Sequence, residues 1–262
     1  PTRRSSDLVA DILDGLGYQL ALGRDVIDAD SRMGLPDEET LARAFERARE
    51  QGAPERWLPA FEGGFAGVVA TLDTGRPGPT LAFRVDMDAL DLNEQHDDSH
   101  RPHRDHFASC NAGMMHACGH DAHMAILIGA ASVLADMKPA IRGNILFICQ
   151  PAEENAPTGG AKAIVAAGLL DGVAAVYGLH VWPALPTGTV GVRTGPVMAA
   201  SDHVVIIIKG QSAHAAMPHK GIDALVAAAQ FITAVQDSIS RQIDPLCPAV
   251  LTFGKICGGT RY

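Results

Sequence analysis

The chain has 262 residues, of which 47% are apolar and 19% charged, and its net charge is −9 at pH 7. That is enough apolar material for a globular core in one large or two smaller domains. The negative charge argues against a nucleic-acid or anionic-membrane partner. The sequence contains no run of about 18 apolar residues, so no membrane span is predicted.

The two ends of the chain look unlike the rest. Residues 1–8, PTRRSSDL, do not begin with Met and are similar to the translation of a sequencing adapter. We expect them to be a non-native leader, and a short basic arm is the alternative. Residues 258–262 follow directly on a predicted strand. We therefore expect a fragment truncated at both ends.

Taken in order, residues 9–194 are predicted to form an α/β domain. Val9–Leu22 has apolar residues at helical spacing, and Asp37 begins a second helix with acidic residues in its first turn. Further helices are predicted from the end of the 115–123 segment to about Met137 and over Gly159–Ala167, and strands over Phe65–Leu72, Thr80–Val85, Asn144–Cys149 and Gly172–Leu179. The strands alternate with helices, which predicts an α/β sheet with the last two strands buried.

Residues 195–262 are predicted to form a second, smaller domain. Residues 203–209 and 249–256 are apolar runs typical of strands, and residues 221–241 have a helical pattern. This order gives a β–α–β unit, which indicates the beginning of a second α/β domain.

Candidate metal ligands cluster at the carboxyl ends of the predicted strands. Cys118 and His120 lie in the segment MHACGHDAH, Glu153 and Glu154 follow one strand, and His180 follows another. Taken singly, the glutamates suit an acidic helix N-terminus, while the cysteine and His180 suit a core. Together they are the donor types that zinc and the neighbouring transition metals prefer. Their position also fits, because ligands of α/β proteins bind beyond the carboxyl ends of the strands. One of the two glutamates can then bind the ion while the other stays free to act as a general base.

Four ordered segments resemble the M20 family of metallopeptidases in its amidohydrolase branch: MHACGHDAH (115–123), QPAEE (150–154), YGLHVWP (177–183) and GQSAHAAMPHKG (210–221). The segments 23–40, 63–79 and 84–95 resemble the aminobenzoyl-glutamate hydrolases of that branch. The resemblance implies a zinc-peptidase-like catalytic domain with a mostly parallel central sheet, and a smaller ferredoxin-like dimerisation domain that is incomplete here.

The resemblance also implies site residues. Cys118, His120, Glu154 and His180 would bind two divalent ions, with zinc, manganese and cobalt all fitting the mixed donors. Glu153 would be the general base. His214, on the smaller domain, would stabilise the oxyanion in a partner's active site.

Two departures from the family pattern matter. Relatives in other branches carry His-x-Asp where this chain has Arg84-Val85-Asp86, so Asp86 is expected to support a ligand rather than bind the ion. The last histidine ligand is expected beyond Tyr262. The fragment alone is therefore expected to be inactive.

The expected function is metal-dependent hydrolysis of the amide bond in N-acyl amino acids, with aminobenzoyl-glutamate-like substrates favoured. The alternatives are a non-catalytic binding subunit and a general N-acyl-amino-acid or peptide hydrolase of the same family. A structural zinc site fits less well, because such sites rarely keep a spare carboxylate beside the ion. The expected partner is a second copy or a related chain. The odd count of five cysteines, without an export signal, favours a reducing cytoplasm.

Overall fold

The computed structural model describes residues 3–155 and 159–259. The chain divides into two compact units, Pro1–Gly191 (the first unit) and Val192–Tyr262 (the second unit). The elements of the first unit are α1 (Arg3–Gly15), β1 (Gln19–Leu22), α2 (Glu38–Glu50), α3 (Leu58–Phe61), β2 (Val68–Asp73), β3 (Thr80–Asp86), α4 (Arg101–Arg104), α5 (His120–Met137), β4 (Asn144–Gln150), α6 (Ala161–Ala166) and β5 (Val173–Gly178). The second unit contains the helix α7 (Ala224–Gln242).

A five-stranded sheet in the order β1-β2-β4-β3-β5 forms the centre of the first unit. The strand β2 is antiparallel to both β1 and β4, whereas the β4–β3 and β3–β5 pairs are parallel. Four strands therefore run in one direction and only β2 runs against them. This confirms the predicted α/β class with a mostly parallel sheet.

Both faces of the sheet are covered, and β4 shows why. Phe147 and Cys149 pack into a cluster with residues of α1 and α5, while Leu146 and Ile148 pack into a second cluster that includes Ile164 of α6. Alternate side chains of one strand thus enter two cores, which requires the continuous apolar sequence seen from 145 to 149. The prediction of a buried strand here is confirmed.

Two predicted helix starts can be compared with the structure. Asp37 is the N-cap of α2, and its side chain accepts a hydrogen bond from the Thr40 N–H, which satisfies a free donor of the first turn. The helix α5 starts at His120, inside the 115–123 segment rather than after it. Gly119 precedes it with φ +88°, a left-handed conformation that favours glycine.

The prediction of one helix over Val9–Leu22 is wrong in its second half. The helix α1 ends at Gly15, and Gln19–Leu22 is a strand that pairs with β2. Gly17, at φ +82°, turns the chain between them. From Tyr18 onward the large apolar side chains, Tyr18, Leu20 and Leu22, fall at every second position, which is the strand period. Residues 3–8 belong to α1, and Ser6 Oγ donates to the Ala66 carbonyl over 2.7 Å; the non-native origin of residues 1–8 stays a prediction.

The strand predicted over Gly172–Leu179 forms as β5, but it is not buried. It is the last strand of the sheet, and Val176 and Tyr177 are each 51% exposed. Only β3 pairs with it within the described residues. An apolar sequence predicts a strand but does not show whether a neighbour lies on both sides.

In the second unit the helix prediction is confirmed and the two strand predictions are wrong. Asp223 caps α7 by accepting from the N–H groups of Leu225 and Val226. Residues 203–209 and 249–256 form no strand. Val205 and Ile207 are about three-quarters exposed, because a strand requires a hydrogen-bonded neighbour and these runs have none in the described chain.

Among the described residues, no helix is both long and apolar enough to cross a membrane.

Candidate metal centre

The five residues predicted for the metal site and its base lie together in the first unit. Their ligating atoms lie within 4.8 Å of one another in two overlapping groups, Cys118 with His120 and His180, and His120 with Glu153 and Glu154. They are placed by the turns that follow β4 and β5 and by the start of α5. The structure thus brings together residues from three separate segments of the sequence.

His120 is at the centre of the cluster and is fully buried. Its Nδ1–H donates to the Asp88 carbonyl over 2.9 Å, so Nε2 carries the lone pair. Nε2 has no hydrogen-bond partner, yet it lies 3.7 Å from Glu154 Oε1 and 3.8 Å from Glu153 Oε2. A buried imidazole lone pair facing carboxylate oxygens is an arrangement that a shared cation stabilises.

Cys118 and His180 form the outer side of the cluster. Sγ of Cys118 lies 3.3 Å from Nε2 of His180. The Nδ1–H of His180 donates to the Val181 carbonyl over 2.6 Å, which leaves Nε2 as the free lone pair. Burial, followed by the hydrogen bond and negative charge of Glu154 and the charge of Glu153, raises the pKa of the Cys118 thiol to about 12. The thiolate is therefore disfavoured unless a cation balances these charges.

The two glutamates differ in their surroundings. Glu154 donates its backbone N–H to Asp88 Oδ2 over 2.8 Å, and its Oε1 is buried without a hydrogen-bond partner. The Glu153 side chain is more exposed, at 39% against 23% for Glu154. Burial and then the charges of Asp86 and Glu154 raise the pKa of Glu153. The preceding Ala152 has φ +58°, a left-handed turn that directs the chain out of β4.

The donor set fits a divalent metal ion. His120 Nε2 and Glu154 Oε1 are both buried, both lack hydrogen-bond partners and both point into the same space. Leaving such atoms unpaired costs free energy that a bound cation recovers. Thiolate, imidazole and carboxylate donors are those of zinc, manganese and cobalt centres.

Sequence reasoning did not single out His123, which lies beside the cluster and is fully buried. Its Nδ1–H donates to Asp86 Oδ1 over 2.6 Å, and its Nε2 accepts from the Val181 N–H over 2.9 Å. Asp86 also accepts from Arg84 Nη1, and although burial opposes it, these hydrogen bonds and charges hold the pKa of Asp86 below its usual range. The spacing His120-x-x-His123 was the available signal, because residues three apart share a helix face.

His214 lies in the second unit and is exposed. Its Nδ1 accepts from the Ala216 N–H over 3.1 Å, so its Nε2 carries the proton. In the segment of residues 96–106, His100 Nε2 lies 2.8 Å from Glu94 Oε1, and the His96 and His103 rings are in edge contact. Among the described residues, every group of three potential ligands lies at the cluster described above.

Comparisons with known proteins give one family and several relatives. The family model of peptidase family M20/M25/M40 matches residues 82–261. The indole-3-acetyl-aspartic acid hydrolase of Enterobacter agglomerans is 59% identical over 228 residues, and the A subunit of the p-aminobenzoyl-glutamate hydrolase of Escherichia coli (strain K12) is 57% identical over 228 residues. Each match covers 87% of this chain and 52% of the relative. The chain thus spans about half the length of the curated relatives it matches.

Solved structures show the same likeness. The aminobenzoyl-glutamate utilization protein of Klebsiella pneumoniae is 61% identical with a TM-score of 0.58, covering 71% of this chain and 40% of that one. A putative aminohydrolase of methicillin-resistant Staphylococcus aureus is 31% identical with a TM-score of 0.64, covering 98% of this chain and 56% of that one.

Proposed function

The chain belongs to peptidase family M20/M25/M40, and from this premise we propose that it carries the metal centre of an amidohydrolase that cleaves the amide bond of N-acyl amino acids. The observation that supports this most is the convergence of sulfur, nitrogen and oxygen donors on the unpartnered His120 Nε2. A carboxylate that is not needed as a ligand, Glu153, lies at the same place. A metal centre with an adjacent free base is an arrangement that can hydrolyse an unactivated amide.

We assign the ions to Cys118, His120, Glu154 and His180, and we propose two divalent ions, zinc or manganese, with cobalt also compatible. When bound, the ions supply Lewis-acid chemistry, which polarises the amide carbonyl and acidifies water. The chain's part is to hold these four donors at the ends of three segments fixed to one sheet. Asp88 keeps His120 in the tautomer whose Nε2 lone pair is free.

Glu153 acts as the general base. Its carboxylate takes a proton from the attacking water and then passes it to the nitrogen of the leaving amine, so that the C–N bond breaks as the amine becomes neutral. His214 donates from Nε2 to the oxygen that gains negative charge, in the site assembled with a partner chain. Its Nδ1 is already occupied by the Ala216 N–H, which fixes the donor nitrogen.

The substrate class follows the relatives' names. One relative is named for an aspartic acid conjugate and another for a glutamate conjugate, and in both names an aromatic acyl group is joined to an acidic amino acid. We propose aminobenzoyl-glutamate-like substrates first. A relative named N-acyl-L-amino acid amidohydrolase, 38% identical, supports simpler N-acyl amino acids as the broader class.

We propose a dimer, either of two copies or with a related second chain, because the name of one relative makes it one of the subunits of its hydrolase. We also propose a cytoplasmic location. Cys110, Cys118, Cys149, Cys247 and Cys257 are all free thiols in the described chain, which suits a reducing compartment.

The test is the variant Glu153→Gln in a full-length protein that carries this chain. Release of the amine is measured for aminobenzoyl-glutamate and for a panel of N-acetyl and N-benzoyl amino acids, with zinc or manganese added. We expect kcat to fall by about 10²–10⁴, as for loss of a general base, while the metal content is unchanged. The exposed Glu62→Gln is the matched control. Metal binding without turnover of any substrate by the unmodified protein would favour a non-catalytic binding role instead.

A further inference from the structure

We propose that His123 is a positioning residue of the metal centre: it binds no ion itself but fixes the backbone of Val181, and through it the ligand His180. This inference rests on the proposed function, because it concerns how tightly the centre holds its ion. It adds to the site a buried residue that takes no part in the chemistry assigned above.

The tautomer of His123 is set by its neighbours. The Val181 N–H can only donate, so His123 Nε2, 2.9 Å away, must be the acceptor. Nδ1 must then carry the proton, which it donates to Asp86 Oδ1 over 2.6 Å. Both ring nitrogens are engaged, and no lone pair remains for a cation. For this reason we exclude His123 as a ligand, although its ring lies within reach of the cluster.

Asp86 connects His123 to the sheet. Its other oxygen, Oδ2, accepts from Arg84 Nη1 over 2.9 Å, and Arg84 Nε donates to Gln150 Oε1 over 2.8 Å. Asp86 and Gln150 are paired across the β3–β4 ladder. His123 is therefore fastened to the ends of two paired strands, and Asp86 is 1% exposed. A buried network whose members are all hydrogen-bonded is rigid.

The backbone of Val181 is hydrogen-bonded at both of its polar groups. Its N–H donates to His123, and its carbonyl accepts the Nδ1–H of His180. The orientation of the His180 ring, whose Nε2 faces Cys118, thus depends on where the Val181 backbone lies. Val181 also packs on Gly119, where an added Cβ would overlap Val181 Cγ2.

Little else in the described chain holds this segment. The strand β5 lies at the sheet edge, His180 is exposed, and Trp182 is 50% exposed. A ligand carried by an exposed turn relies on the few bonds that tie it to the core. Residues that orient ligands in this way typically change metal affinity by about 10–100-fold when they are replaced.

The first experiment measures the Zn²⁺ affinity of a full-length protein that carries this chain, by competition with a chromophoric chelator. We expect His123→Ala to bind Zn²⁺ about 10–100-fold more weakly with the same stoichiometry. His123→Asn keeps an N–H donor near the position of Nδ1 for Asp86, but its shorter side chain places no acceptor at the position of Nε2, which the Val181 N–H needs. It should weaken binding in the same way while keeping the buried carboxylate paired. The exposed His96→Ala is the matched control and should not differ from the unmodified chain.

The second experiment needs no substitution for its main readout. Long-range ¹H–¹⁵N correlations of the imidazoles should show His123 as the neutral Nδ1–H tautomer, both before and after addition of Zn²⁺. The Val181 amide should exchange slowly, and it should exchange faster in His123→Asn.

Different failures give different results. Loss of one equivalent of Zn²⁺ in His123→Ala, or a shift of its ring ¹⁵N signals on Zn²⁺ addition, would make His123 a ligand and overturn the proposal alone. Unchanged affinity in both variants would do the same. Failure of the unmodified full-length protein to bind Zn²⁺ would overturn the proposed function and this inference with it, even if the His123 tautomer is as described.

Discussion

Two apolar runs of this chain have similar sequences and opposite environments. In β4 of the first unit, residues 145–149 are at most 7% exposed, whereas in the second unit the side chains of residues 204–207 are 50–75% exposed. The first run lies between β2 and β3, and the second has no ladder neighbour in the described chain. An apolar run therefore becomes a strand only where the chain supplies a neighbouring strand for it to hydrogen-bond with.

The helices repeat the contrast. The helix α5 buries His120, His123, Leu127 and Ala131, and α7 buries none of its residues. The metal centre thus belongs to the unit whose sheet and helices already form a packed frame. Rigid supporting elements are what a pre-organised site requires.

Replacing a core side chain should give the largest difference between the units. Phe147→Ala removes a ring that is 1% exposed in β4 and should lower the free energy of unfolding by about 3–5 kcal/mol. Ile207→Ala, at 75% exposure, should change it by less than about 0.5 kcal/mol. Urea unfolding of the two variants makes the comparison. Equal losses would mean that residues 203–209 are packed in solution.

The reactivity of thiols should show the second-largest difference between the two units. Burial raises the pKa of Cys149 from 9.0 to about 12, so its thiolate fraction at a pH of about 8 is lowered about a thousandfold. Cys247 of the second unit is exposed. A thiol-reactive reagent should therefore modify Cys247 rapidly and Cys149 only after unfolding, which peptide mass analysis can follow. Early labelling of Cys149 would show that the first unit opens locally.

The helix caps should give the smallest effect. Asp37→Ala removes the acceptor for the Thr40 N–H, and Asp223→Ala removes the acceptor for two N–H groups of α7. Amide hydrogen exchange in the first turn of each helix should rise several-fold, with the rise confined to that helix.

Acid should act on α2 in the same way as the substitution of Asp37. The hydrogen bonds from Thr40 lower the pKa of Asp37 below 3.8, so the cap is intact above pH 3.8 and is lost as the pH falls through the lowered pKa. No change in first-turn exchange, by mutation or by acid, would rule out the cap.

Much of the first unit was predictable because its signals are local. The apolar residues 145–149 are unbroken and the polar residues follow directly, which predicts both a buried strand and a site at its end. The positions of Gly15 and Gly17 could have corrected the helix over 9–22. The exposure of β5 could not be read from its sequence, because it depends on which strand lies beside it.

The residue types of the proposed ligands and their positions near the ends of predicted strands were visible in the sequence, but the hydrogen bonds that support them were not. Cys118, His120, Glu153, Glu154 and His180 stand out by residue type and position. The supporting role of Asp86 was predicted, and the three-residue spacing of His120 and His123 was a signal for a shared helix face, but the contacts of His123 with Asp86 and Val181 are long-range in sequence and could not be read from it. A buried histidine that supports a ligand and one that binds an ion look alike until both ring nitrogens are traced.

The assignment of Cys118, with nitrogen and oxygen donors, as ligands of a metal ion is tested most directly by X-ray absorption on the zinc-loaded protein, compared with its Cys118→Ser variant. We expect a sulfur scatterer at about 2.3 Å together with nitrogen and oxygen at about 2.0–2.2 Å, and loss of the sulfur shell in the variant. A zinc shell without sulfur in the unmodified chain, or a sulfur shell that survives in Cys118→Ser, would contradict it.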